Sequence, residues 1–248
     1  MQVHFLGTTG YHPNERRQTA CLMLPEIGVV LDAGTGLFRA RDLLQTDGLS
    51  IFVSHAHLDH SIGLTFLFDI LHEKPIKKAI VHCEANKLAA IRDHLFQELL
   101  FPLMPPIDFR QLSPQRPVEI GRGGRLSCFE LKHPGGSLGF RLDWPDRSMA
   151  YVTDTTADVT APYLSKIEGV DLLVHECYFP DGHEDRAIIT GHSCLTPVAG
   201  VARRARVKQL VLVHTNPLDL DGDSLNLMSA RKIFPKIHVP DDGDVMEF

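Results

Sequence analysis

The stretch Ser54-His55-Ala56-His57-Leu58-Asp59-His60 decides how this 248-residue chain is read. Three imidazoles and one carboxylate fall within six positions, directly after the apolar run Ile51-Phe52-Val53. Such a run has strand propensity, so the cluster stands at the end of a buried strand, where a turn presents it to a cleft. His-x-His spacing lets two rings reach one ion. Asp59-His60 then offers a carboxylate and an imidazole to a neighbouring ion. These donors suit Zn²⁺, with Mn²⁺ or Fe²⁺ as alternatives.

The same arrangement recurs along the chain. His133 follows Leu126–Leu131, Asp154 follows Met149–Thr153, and His214 follows Leu210–Val213. Each potential ligand lies just past an apolar run. Residues at the ends of several strands of one sheet system can converge at one edge, however far apart they are in sequence.

These residues carry a resemblance. His55-x-His57-x-Asp59-His60, His133, Asp154 and His214 resemble the full ligand set of the metallo-β-lactamase fold hydrolases. Phe5-Leu6-Gly7-Thr8 with Pro13 and Arg16-Arg17, then Leu31-Asp32-Ala33-Gly34, is similar to the opening of the ribonuclease Z branch. So are Thr153-Asp154-Thr155, His175-Glu176, Gly191-His192-Ser193 and the run from Val207 to His214. The matches extend from residue 5 to about residue 217. The resemblance implies an α/β fold, an αββα sandwich of two mixed β-sheets with outer helices.

By that resemblance, His55, His57 and His133 hold one divalent metal ion and Asp59, His60 and His214 a second, with Asp154 bridging. A water shared by two such ions becomes a hydroxide nucleophile near neutral pH, which Asp59 can orient. Two cations also neutralise the non-bridging oxygens of a phosphodiester. His192 is the candidate acid for the leaving group, and Glu176 the carboxylate that orients it and raises its basicity. Asp32 is expected to brace the metal loop as an outer acceptor, and His175 to be structural. Arg16 and Arg17 are expected in a solvated loop. Arg203, Arg204, Arg206 and Lys208 are expected on a solvated helix face.

Composition fits one soluble enzyme domain over residues 1–248. The chain is 44% hydrophobic and 23% charged, enough to bury a sizeable core. No run of about 18 apolar residues exists to span a membrane. No signal-type leader precedes Val3, so a cytoplasmic location is expected. The five cysteines form no CxxC pair and read as buried fillers.

Short strands are expected through the first third: Val3–Leu6, Ala20–Leu24, Val29–Leu31, Ile51–Val53 and Ala79–Cys83. Leu88, Ile91, Leu95 and Leu99 are spaced for an amphipathic helix over Asn86–Phe101, capped by Asn86 and stopped by Pro102. Met104-Pro105-Pro106 is expected to be a loop with neighbours able to overhang a cleft. A strand is expected at Val170–Val174. Thr196-Pro197 reads as a cap with an N1 proline, opening a helix to about Arg206. A last helix is expected over Ser224–Phe234.

The substrate follows from spacing and charge. Long-armed ribonuclease Z enzymes carry a tRNA-gripping arm between the residues matching His133 and Asp154. Here those residues are only 21 positions apart. The formal net charge of −6 also lacks the broad basic surface of a protein that neutralises many phosphates. The expected substrate is a small or cyclic nucleotide-like phosphodiester, with RNA disfavoured. The short spacing resembles the phosphoribosyl cyclic phosphodiesterases, although the paired N-terminal cysteines of that subfamily are represented only by Cys21. The alternatives are tRNA 3′ processing, a carbonyl-ester hydrolase (lactonase or thioesterase), and a non-catalytic metal-binding accessory protein. A homodimer is compatible with the resemblance.

Overall fold

Two seven-stranded sheets carry the chain. The structure is a computed structural model that describes residues 1–219 and 225–248. The first sheet contains β1 (Gln2–Gly7), β2 (Cys21–Leu24), β3 (Val29–Leu31), β4 (Leu49–Phe52), β5 (Ala79–Cys83) and β6 (Ile107–Gln111). The second contains β7 (Val118–Ile120), β8 (Gly124–Leu131), β9 (Ser137–Asp143), β10 (Ser148–Val152), β11 (Leu172–Glu176), β12 (Gln209–Val213) and β13 (Ile237–His238). The last strand, β14 (Val245–Glu247), returns to pair with β1 at the edge of the first sheet.

Side chains alternate across each strand, and this makes three apolar layers. Leu172, Val174, Val211 and Val213 pack between the sheets with Leu22, Leu24, Leu31 and Phe52. Leu173, Leu210 and Leu212 face outward onto Leu195, Val198, Ala199 and Ala202 of the helix Leu195–Arg204. Cys21, Met23 and Val30 face the opposite outer layer. Fully burying one such aliphatic side chain is worth about 1.5–3 kcal/mol, so the alternation fixes the register of every strand. The architecture is the expected αββα sandwich.

Strand direction then places the site. β3 and β4 are parallel, and β1 runs with them because two antiparallel steps separate it from β3. In the second sheet β10, β11 and β12 are parallel, and β8 shares their direction through β9. The carboxyl ends of these strands therefore open on common edges, and the candidate residues lie just beyond them. The 21 positions from His133 to Asp154 are filled by β9, the turn at Trp144-Pro145-Asp146 and β10.

Several local expectations are corrected. The helix expected over Asn86–Phe101 is α-helical only at Ala85–Ala90, loosens into a π-type turn at Ile91–Leu95 and ends there. Leu88 and Ile91 reach the core, but Leu99 is 89% exposed, so the helical stripe leaves the core after Leu95, while Phe96 and Phe101 pack onto it off that stripe. Thr196 lies inside the helix Leu195–Arg204 rather than capping it, and its N–H and hydroxyl both donate to Asp181. The Val170–Val174 strand is observed at Leu172–Glu176. The last helix runs Met228–Ile233; its expected start at Ser224 lies outside the described residues. Arg17 is buried, not solvated, and donates to Thr8, Pro240 and Asp241. Leu103 and Met104 are exposed, and neither lines the cleft described below. All five cysteines are buried and unpaired. Among the described residues, no helix is long and apolar enough to cross a membrane.

Candidate metal centre

The seven expected ligands meet at one place. His55, His57, His133 and Asp154 form one group, and Asp59, His60 and His214 another, with ligand atoms inside each group lying within 4.8 Å of one another. Asp154 divides its carboxylate between them. Its Oδ2 lies 3.5 Å from His55 Nε2 and 3.5 Å from His133 Nε2. Its Oδ1 lies 3.2 Å from His60 Nε2 and 3.3 Å from His214 Nε2. Asp59 Oδ2 faces the second group, 3.3 Å from His60 Nε2 and 3.2 Å from His214 Nε2. His57 turns Nδ1 inward, 3.4 Å from His133 Nε2.

Backbone geometry aims these side chains. Asp32, Asp154 and His214 all sit just past strand ends at φ values of 60°, 43° and 54°. Left-handed backbone is costly for such residues, and here it bends the chain sharply, turning Asp154 and His214 into the cleft and Asp32 beneath it toward His60. Gly10 completes the fit, because a Cβ there would lie 2.2 Å from His214 Cε1. The short helix Leu58–Ser61 carries Asp59 and His60 into the same space.

The far nitrogen of several rings is held, which frees the near one. His60 Nδ1–H donates to Asp32 Oδ2 at 2.8 Å, and His133 Nδ1–H donates to the Gly191 carbonyl at 3.0 Å. His55 Nδ1 meets Ser54 Oγ at 3.0 Å, and that hydroxyl donates to Asp32 at 3.0 Å. Asp32 also accepts from Ser54 N–H at 2.7 Å and from the Tyr151 hydroxyl at 2.9 Å. Asp32 is therefore the hub expected of an outer acceptor. Such contacts fix the tautomer and raise the basicity of a metal-binding ring.

Charge and unmet valence both fit divalent cations. His55 Nε2 is buried with no hydrogen-bond partner among the described residues. A buried lone pair of that kind is costly unless a cation takes it. Burial opposes charge on His60, yet Asp154, Asp59 and Asp32 around it hold its pKa well above the ordinary value. Burial similarly opposes charge on Asp154, while His214, His60 and His55 hold its pKa well below the carboxylate range. The carboxylates thus demand positive charge at their centre. His55, by contrast, is pushed well down by burial and by its imidazole neighbours, and stays a neutral donor.

Beside this cluster stands a carboxylate–imidazole pair. Glu176 is fully buried at the end of β11 and accepts N–H bonds from Thr155 at 2.9 Å and Ser193 at 3.1 Å. His192 Nδ1–H donates to its Oε1 at 3.1 Å. Burial disfavours the imidazolium, but the Glu176 charge and hydrogen bond outweigh it and lift His192 to about 8. The His192 ring lies 5.3 Å from His133 and 5.3 Å from His214, centre to centre. The structure thus places His192 and Glu176 beside the cluster. His175 is turned away, its Nδ1 donating to the Glu176 carbonyl and its Nε2 lying 3.2 Å from the Tyr163 hydroxyl.

The cleft above the cluster has a volume of about 800 Å³. Sequence reasoning missed three of its features. Tyr11 lines it, and its N–H donates to Asp59 Oδ2 at 2.8 Å. Tyr178 and Phe179 line it as well. Tyr11 gives no periodic signal, but Tyr178-Phe179 lies just past the strand-end Glu176, after Cys177, and could have been found by the rule that located the ligands. Tyr151, the fourth donor to Asp32, was hidden as an ordinary strand residue.

Comparisons with known proteins agree with this fold. The family model described as the beta-lactamase superfamily domain matches residues 28–215. A ribonuclease Z of Metallosphaera sedula is 28% identical over 287 aligned positions, covering 98% of this chain and 97% of the relative. A metallo-β-lactamase fold protein of Bacillus subtilis superposes with a TM-score of 0.80 at 19% identity, covering 99% of both chains. The short form of human tRNase Z superposes with a TM-score of 0.76 at 21% identity, covering 100% of this chain and 99% of that one.

Proposed function

The chain belongs to the β-lactamase superfamily, and on that premise we propose that it is a phosphodiesterase working with two divalent metal ions, Zn²⁺ foremost. The observation that carries this reading is the division of the Asp154 carboxylate between two ligand groups, with the Glu176–His192 pair alongside. His55, His57 and His133 would hold one ion, Asp59, His60 and His214 the other, and Asp154 both. Ions bound there would supply Lewis acidity toward phosphate oxygens and acidify water near neutral pH.

The remaining work falls to the chain's own groups. Asp59, fixed by the Tyr11 N–H, accepts a hydrogen bond from the attacking water and sets its direction. His192, held by Glu176 with Nδ1 occupied, keeps Nε2 for the substrate. Its proton passes to the departing alkoxide oxygen as the P–O bond breaks. General acid help of this kind is worth about 10²–10⁴ in rate. A carbonyl ester cleaved by the same water has less need of His192.

A small or cyclic nucleotide-like diester is the substrate we favour. The segment from His133 to Asp154 is a compact hairpin with no arm. The alignment to the Metallosphaera relative needs 287 positions against 248 residues here, so part of that relative has no counterpart. Among the described residues lining the cleft there is no lysine or arginine. A specific observation favours the second reading, tRNA 3′ processing: the likeness to ribonuclease Z spans nearly the whole chain.

The test is hydrolysis by metal-reconstituted protein of bis-p-nitrophenyl phosphate, a cyclic nucleotide panel, a lactone and a precursor tRNA with a 3′ trailer, with metal counted on the same sample. Turnover of small diesters with two metals per chain, at efficiency well above that on the precursor, supports the favoured reading. Efficient trailer removal would replace it with the second. Lactone turnover alone would move the chain to carbonyl chemistry.

A further inference from the structure

We propose that Tyr11, Leu58, Tyr178 and Phe179 form a base-binding mouth over the metal centre, so that the substrate is a nucleotide held by one planar base rather than by its phosphates. The inference rests on the phosphodiesterase reading and deepens it. All four residues line the cleft. Tyr11 and Leu58 are 75% and 63% exposed, although large apolar surface is ordinarily withdrawn from water. Leu58 gains nothing as a ligand, yet it stands between His57 and Asp59 with its side chain in the opening. Tyr11 is fixed in place from its backbone, through the N–H bond to Asp59, and its ring, edge-on to the His12 ring at 5.2 Å, lines the cleft.

The other wall is a stack. Tyr178 lies nearly parallel to His192, centroids 4.9 Å apart with an interplanar angle of 20°, and Phe179 meets Tyr178 edge-on at 4.9 Å. His192 in turn lies within 25° of parallel to His214. These rings, with Tyr178 also 6.0 Å from His214, form one contiguous aromatic wall that joins the metal ligands to the mouth. A purine or pyrimidine has a π-face for such a wall, and stacking tolerates any base.

Charge points the same way. A protein that binds a polyanion through its backbone needs several cationic side chains along the track. The described cleft residues include no lysine or arginine, only the one imidazole of His192 with a raised pKa, and Asp59 and Asp154 add negative charge. A single phosphoryl group at the metal centre, with its base at the aromatic mouth, satisfies both halves of the cleft.

The test reads binding, not turnover. Affinities of metal-loaded protein for adenosine 5′-monophosphate and ribose 5-phosphate are compared by calorimetry; the two share a phosphate and differ by the base. The expected result is at least about fivefold tighter binding of the nucleotide. In Tyr11→Ala and Phe179→Ala that advantage should shrink severalfold, with ribose 5-phosphate affinity and metal content unchanged. Equal affinities in the wild type, no binding of either ligand, or an undiminished advantage in both variants would overturn the proposal. Hydrolysis of bis-p-nitrophenyl phosphate on the same samples separates the two readings: a base preference without turnover would sink the catalytic reading and leave the mouth standing.

Discussion

Replacing Glu176 with Gln removes one charge from this site. The amide keeps the size of the carboxylate and one oxygen, which can still accept from Thr155 N–H and His192 Nδ1–H while its NH2 faces the Ser193 N–H, and it removes the anion 3.1 Å from His192 Nδ1. Burial pulls the His192 imidazolium down, and the Glu176 charge is the largest influence lifting it to about 8. Returning the ring even to its ordinary 6.5 is a change of about 1.5 units, or about 2 kcal/mol. Bound cations lower both proteins' values, so the difference between them is the measurable quantity. A general acid works while protonated, so activity fades as pH rises through its pKa. The variant should therefore lose activity at lower pH than the wild type, with a deficit of roughly thirtyfold at alkaline pH. The assay is kcat from pH 6 to 9 on two diesters, one with an alkyl leaving group and one releasing p-nitrophenolate. The deficit should appear on the alkyl ester and be small on the nitrophenyl ester, whose leaving group needs no proton. Equal losses on both, or a loss independent of pH, would refute the acid role, provided that the melting temperature shows the variant folded.

Asp154→Ala should abolish turnover and reduce metal from two ions per chain, checked by elemental analysis of the purified protein; two retained ions would contradict the bridging role. Tyr151→Phe removes one of four hydrogen bonds to Asp32 and should weaken metal binding about tenfold in chelator competition, with the fold intact by circular dichroism. Chelation should lower the melting temperature, because ion binding at a hundredfold excess over Kd contributes about 2.7 kcal/mol, and a melting point unmoved by chelator would deny the site its ions. His82, stacked on Phe52 at 4.4 Å, is pushed down to about 4 by burial and then by Arg110. The unfolded ring titrates near 6.5, so the unfolded chain takes up that proton first as pH falls. Stability present above about pH 6.5 is then lost toward pH 4, by at most about 3 kcal/mol, and denaturant melts of His82→Leu should show a shallower loss over that window.

How much of this was legible in the sequence depends on where each residue's partners lie. The seven candidate ligands could be picked out because the four segments that carry them each follow an apolar run, and strand direction carries such positions to a common edge. The Asn86–Phe101 helix was misjudged because periodicity records an apolar stripe without recording whether anything packs on it. Leu99 has nothing beneath it, and the helix loosens at Ile91. Arg17 was misjudged for the opposite reason: its partners Thr8, Pro240 and Asp241 include two that lie more than 220 positions away. Glu176 was identified by resemblance, but its burial and its two backbone donors needed the fold. Tyr151 was invisible, since its hydroxyl crosses from β10 of one sheet to the end of β3 in the other.

That crossing contact bears on how the site is held together. The ligands come from both sheets: His55, His57, Asp59 and His60 follow β4, whereas His133, Asp154 and His214 follow β8, β10 and β12. Apolar packing between the sheets fixes their separation but is non-directional, and a metal centre needs its donors aimed. The chain supplies direction with polar bonds, one of which crosses the same gap. Tyr151 of the second sheet reaches Asp32 of the first, while the Tyr11 N–H holds Asp59 within the first sheet's loops and the Gly191 carbonyl anchors His133 within the second's. Gly191, at φ 74°, has room for no side chain there, since a Cβ would lie 2.5 Å from Pro134 Cδ. Asp32 then couples the two halves, because the carboxylate bonded to Tyr151 from the second sheet also orients His60 and, through Ser54, His55. Weakening Tyr151 should therefore be felt in both ligand groups at once, and not only at His60.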